Sequence, residues 1–173
     1  MGYSLQQAIR DAQASLPVSS QDVPELSDYE KYMLAAHIKE RFVNGKEHRW
    51  WWEHWKVRTL SVQFSRQNPE RFPLIIPPPH DHIYVIFPTE SPQCAYEGTL
   101  STIVALLWEI VGLDEFCLVG SRGDWLMYEN HHDRSVFVGL WAMRSLKAYM
   151  QRHPEDIENV FISALGKRSY FCP

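Results

Sequence analysis

At 173 residues with a formal net charge of −4, 45% hydrophobic and 22% charged residues, the chain has the size and composition of one folded domain, and neither a disordered tail nor a disulfide scaffold fits. A chain near this length buries roughly 70% of the surface its unfolded form exposes, so a real core is expected. The three cysteines, Cys94, Cys117 and Cys172, are odd in number and irregularly spaced, which argues against a disulfide framework and a CxxC metal site and predicts reduced thiols in a cytoplasm.

The N-terminus lacks the basic start and apolar run of a signal peptide, and the longest apolar run, Ile103 to Trp108, is far too short to span a bilayer, so no membrane contact is expected. The charge is uneven. From Phe72 to Asp133 nine acids face one base, giving −8, whereas Lys39 to Arg71 holds eight bases and four acids, giving +4. An acidic half steers cationic partners and disfavours nucleic acid.

In chain order, Ser4 with Gln7 makes a capping-box signature, and Leu5, Ala8, Ile9 and Ala12 recur at helical spacing, predicting a helix over 4–15. Residues 16–26 read as a linker within the domain. Ser27 and Glu30 repeat the capping box, and Tyr29, Tyr32, Met33, Ala36 and Val43 fall on one face of a second helix stopped by Asn44-Gly45. The run Arg49-Trp50-Trp51-Trp52-Glu53-His54-Trp55-Lys56 is either an aromatic platform, with Trp51 and Trp55 stacked at i, i+4, or an anchor of the N-terminal helices on a sheet.

Leu60, Val62 and Phe64 alternate as a half-buried strand; Leu74-Ile75-Ile76 running into prolines reads as extended; Ile83 to Phe87 reads as an inner strand. After a loop at 88–98, Ile103, Leu106, Leu107, Ile110 and Val111 mark an amphipathic helix over 99–111, with Thr99 or Ser101 as cap. Phe116–Val119, Trp125–Tyr128 and Val136–Val138 predict three strands, with a hairpin turn at Ser121–Asp124 and a second turn at Asn130-His131-His132-Asp133. A helix over 140–151 follows, and Ile157, Val160, Phe161 and Ala164 predict a last helix opened by Pro154. The expected architecture is a single α+β domain over 1–173. It has a mostly antiparallel central sheet with helices packed on one face, an N-terminal helical part with two helices at 4–45, a sheet core with one helix at 50–139, and C-terminal helices at 140–173.

Two His-rich spots could carry chemistry. His80 and His82 share one face at the start of a strand, and His131, His132 or Asp133 from the distant turn could complete a Zn²⁺ site, with a vacant position to activate water. No HExxH, CxxC, GxSxG, GxxxxGK[ST] or GxGxxG motif accompanies them. The other account makes Asn130 and Asp133 turn formers in an acidic surface, and no cofactor is then needed.

The segments WWWEHWK (50–56), AYEGTLSTIVALLW (95–108) and EFCLVGSRGDWLMYENHHD (115–133) resemble, in order and spacing, a family of small bacterial proteins of unknown function. In that family an acidic-Gly step precedes a helix, and a strand-turn-strand ends in Trp-Leu and then Glu-Asn-His-His-Asp. The resemblance covers Trp50 to Gly139. It implies a stand-alone acidic protein of the kind that serves as the immunity partner of a toxin, a non-enzymatic cytoplasmic binder. The expected partner-binding residues are Asp114, Asp124, Glu129, Asn130, His131, His132, Asp133, Trp51 and Trp55. The alternatives are a metal-dependent enzyme using His80, His82, His131 and His132, and a partner-binding module using the Trp cluster.

Overall fold

The computed structural model describes residues 5–16, 22–44, 54–66, 69–76, 78–88, 94–110 and 115–163. Among them, strands β1 (Thr59–Phe64), β2 (Ile83–Phe87), β3 (Cys94–Gly98), β4 (Phe116–Gly120), β5 (Leu126–Asn130), β6 (Arg134–Val138) and β7 (Ile157–Ser163) form one sheet in the order β3-β2-β4-β5-β6-β1-β7. Every neighbouring pair is antiparallel. The helices are α1 (Leu5–Ser15), α2 (Asp28–Phe42), α3 (Phe72–Ile75), α4 (Leu100–Glu109) and α5 (Leu140–Arg152). The α+β class and antiparallel sheet are those the sequence predicts.

The helices do not share one face, as the sequence suggested. Successive strand residues point to opposite sides, and both sides here are apolar. Val85, Leu118, Met127, Phe137, Leu60 and Val62 pack under α1, α3, α4 and α5, while Ile86, Cys117, Val119, Leu126, Tyr128, Val136 and Val138 pack under α2. The central strands are therefore covered twice, as their near-continuous apolar runs require. On the first side, α4 buries Leu100, Ile103, Leu106 and Leu107, each contributing about 1.5–3 kcal/mol. Its Thr99 cap accepts from the Thr102 amide at 3.2 Å.

On the second side, α2 has both halves of its capping box, with the Ser27 amide donating to Glu30 at 2.8 Å and the Glu30 amide to Ser27 at 3.4 Å. Its inward face is Ile38 and Phe42, with Leu34 and Ala35 beside them. Tyr29 and Tyr32, grouped on one face by their spacing, are 72% and 69% exposed, and Met33 beside them is exposed as well. Apolar and charged side chains are spread around the helix, so periodicity alone did not select a face. His37, four residues after Met33, has Nε2 3.3 Å from the carbonyl of Gly123, which places α2 across the β4–β5 hairpin.

Three further elements differ from expectation. The segment Cys94–Gly98, read as loop, is β3: it has few β-branched residues, but β2 offers it a full ladder. Its outer edge is closed by the supposed linker, where Leu26 donates to Ala95 O at 2.9 Å and Glu97 donates to Pro24 O at 3.1 Å. Leu74 and Ile75, read as extended, belong to the single turn α3, whose proline at an early position needs no amide hydrogen bond. The last predicted helix is β7. Ile157, Val160 and Phe161 fit a 3.6 period, yet they are β-branched or aromatic, and the free edge of β1 supplies a ladder that an isolated helix lacks. Ala164 lies outside the described residues.

Candidate functional site

The site is the end of the sheet where β5 turns into β6. Asn130 pairs with Arg134, so the loop is His131, His132 and Asp133. The Asn130 side-chain oxygen accepts from the His132 amide at 3.0 Å and the Arg134 amide at 3.2 Å, and its carbonyl accepts from the Asp133 amide at 3.0 Å. Asp133 closes the loop with φ 55°, a left-handed conformation that Asn and Asp tolerate better than most residues. The bend expected of Asn130 and Asp133 is present, and it leaves His131, His132 and Asp133 exposed while Asn130 is buried.

The bend also solves a steric problem. Neighbouring strand residues would point to opposite faces, whereas the loop brings the two imidazoles together with centroids 4.0 Å apart and planes tilted by 48°. Beneath them, His131 Nδ1 lies 2.6 Å from Glu115 Oε1, and the Glu115 side chain is only 2% exposed against 47% for His131. Glu115 precedes β4 and, by continuation of the Phe116–Glu129 register, falls opposite Asn130. It shares the α2 face with Tyr128, whose hydroxyl is pushed far up by burial and then by the Glu115 carboxylate. The guanidinium of Arg134 lies over the Phe161 ring at 4.1 Å and makes no ion pair with Glu115. Sequence reasoning counted Glu115 only as a charge. An acidic residue directly before an apolar strand run was the available signal, and only the strand register reveals its neighbour.

The remaining predicted site residues do not assemble into one acidic surface. Asp124 sits at the opposite end of β5, half-buried, 3.6 Å from Arg122. Glu129 points to the other side of the sheet, where its carboxylate accepts from the Ser135 hydroxyl at 2.8 Å. Trp55 is half-buried against the α2 layer and bridges Val43. Asp114 and Trp51 lie outside the described residues.

His80 and His82 do not join His131 and His132. They precede Ile83, which pairs with Gly120 at one end of β4, whereas Phe116 and Glu115 mark the other end. Four residue steps of about 3.3 Å separate the ends by about 13 Å. His80 Nε2 is 2.8 Å from the Ile76 carbonyl and His82 Nδ1 is 3.0 Å from Glu97, so each has a local partner. The four-histidine zinc site is thereby corrected. Cys117 is fully buried and burial pushes its thiol up, which removes it as a nucleophile.

Glu129 has a testable consequence. Burial raises its pKa above the ordinary 4.5, against the lowering effects of Ser135 and the Arg71 charge. The folded state therefore holds this proton to higher pH than the unfolded chain, and the group's contribution to stability falls as pH rises from 4.5 through the raised folded value. Glu129→Gln keeps an oxygen for Ser135 and removes the charge. Thermal melts between pH 4.5 and 7.5 are expected to show the variant gaining on the wild type as pH rises; a variant that loses ground toward neutral pH would contradict this assignment.

The fold and site define a class: a three-layer protein with a seven-stranded antiparallel sheet and a His-rich hairpin end braced by a buried carboxylate. The chain belongs to the family of unknown function DUF6756, whose model matches residues 1–150. The match takes in the N-terminal helices as well as the Trp50–Gly139 region, and leaves β7 outside it. No curated protein and no solved structure matches the chain.

Proposed function

We propose that the protein is a non-enzymatic binding protein, an immunity protein that neutralises a cognate bacterial toxin in the cytoplasm by covering it. The observation that carries this reading is the hairpin end: His131, His132 and Asp133 are exposed on a loop whose backbone is fixed by the Asn130 side chain. A rigid loop loses little conformational freedom on binding, which is where pre-organised surfaces gain affinity. The exposed Asp133 carboxylate on that loop suits a cationic partner. Stoichiometric inhibition of the toxin encoded beside it, weakened in His132→Ala and Asp133→Asn, is the expected result.

A second surface favours the reading of a structural or regulatory partner-binding module. Tyr29, Tyr32 and Met33 stand at i, i+3 and i+4 on the outward side of α2. Tyr and Met are enriched in protein interfaces. Binding lost in Tyr29→Ala/Tyr32→Ala and kept in the hairpin variants would select this module reading over the hairpin.

A further inference from the structure

The geometry points to the His131–His132 pair as a binding site for a borderline divalent transition-metal ion, Zn²⁺ foremost, with Glu115 as the buried group that positions His131. Where Glu115 is the acceptor in the 2.6 Å contact, His131 Nδ1 is the donor, and the lone pair of the neutral ring is on Nε2 of a half-exposed side chain. Metal-bound histidines take this arrangement, with the far nitrogen donating to a carboxylate that fixes the tautomer and raises ligand basicity. His132 brings the second imidazole to 4.0 Å, and its backbone amide is tied to Asn130, so the loop sets the two rings side by side.

The charge balance points the same way. Glu115 is buried, and among the described residues its partners are His131 at Oε1 and the Tyr128 hydroxyl, with no Lys or Arg paired to it. A buried anion facing neutral donors is costly. A cation on Nε2 supplies the missing positive charge one ring away. Among the described residues no third His, Cys, Asp or Glu ligand completes the pair, so a tetrahedral ion here keeps two positions for water or an incoming side chain.

The geometric rival is His153, Glu155 and Asp156, whose ligand atoms lie within 4.8 Å of one another. There the Asp156 carboxylate already accepts from the Tyr149 hydroxyl at 2.5 Å and interacts with the Arg71 charge, and no buried unpartnered group is aimed at the cluster. It serves as the control.

This proposal goes beyond the binding reading and does not rest on it, since Zn²⁺ alone is the probe. Calorimetric titration of Zn²⁺ into tag-free, chelator-treated full-length protein is expected to show one saturable site. That site should be lost in His131→Ala and His132→Ala, weakened about 10–100-fold in Glu115→Gln, and unchanged in His153→Ala. His132 is exposed, so its variant folds and decides the matter even where Glu115→Gln does not fold. Absence of saturable binding, binding that survives His132→Ala, or binding abolished by His153→Ala overturns the site; wild-type affinity in a folded Glu115→Gln overturns the role of Glu115.

Discussion

Gly139→Ala is expected to destabilise the protein by roughly 3 kcal/mol, combining about 1–2 kcal/mol for a left-handed residue with about 1–3 kcal/mol for overpacking. Gly139 precedes α5 with φ 95°, and a Cβ there would lie 2.5 Å from the Asp124 carbonyl and 2.9 Å from the Trp125 Cα. Both obstacles are backbone, so no rotamer change relieves them. The backbone of β6's end and of the β4–β5 hairpin would have to separate just where α5 leaves the sheet. Urea denaturation followed by tryptophan fluorescence measures the loss; a change under about 1 kcal/mol would mean that the two segments are not in this contact.

Trp125→Ala is expected to cost about 3–5 kcal/mol. The ring is 4% exposed in the larger core layer and lies over Gly120, where a Cβ would meet Nε1 at 2.4 Å and Cε2 at 2.6 Å. Removing the ring also removes that obstacle. Gly120→Ala should therefore be much less harmful in the Trp125→Ala background than in the wild type, a coupling of about 0.5–3 kcal/mol in a double-mutant cycle. Additive costs would show that the ring does not cover Gly120.

Much of the sheet was legible because its central strands carry apolar runs bounded by turn residues. Phe116–Gly120, Leu126–Asn130 and Arg134–Val138 begin and end within two residues of where turn chemistry put them, and α4 lies where its stripe and Thr99 cap require. The misses come from residues whose state is decided by a distant neighbour. β3 and β7 are strands because β2 and β1 had edges to fill, and neither Cys94–Gly98 nor Ile157–Ser163 records that need in its own spacing. The buried face of α2 could not be chosen from spacing, because Tyr29, Tyr32 and Met33 recur at helical intervals just as the sheet-facing Leu34, Ile38 and Phe42 do.

At the candidate site the turn itself could be read from Asn130 and Asp133, since its hydrogen bonds are local. The brace could not. Glu115 lies sixteen positions from His131, and only the pairing of β4 with β5 brings the carboxylate under the ring. The same register separates Asp124 from Asp133 and turns Glu129 away, so charge counted along the chain overstated the charge on this surface.

The most direct test of the hairpin as a partner-binding surface is the calorimetric affinity of the protein for the toxin encoded beside it, at low and physiological salt. The account predicts a 1:1 complex that weakens with salt and loses at least about tenfold in affinity in both His132→Ala and Asp133→Asn, which keep the loop conformation. No complex, or a complex whose affinity is unchanged in both variants, would contradict it.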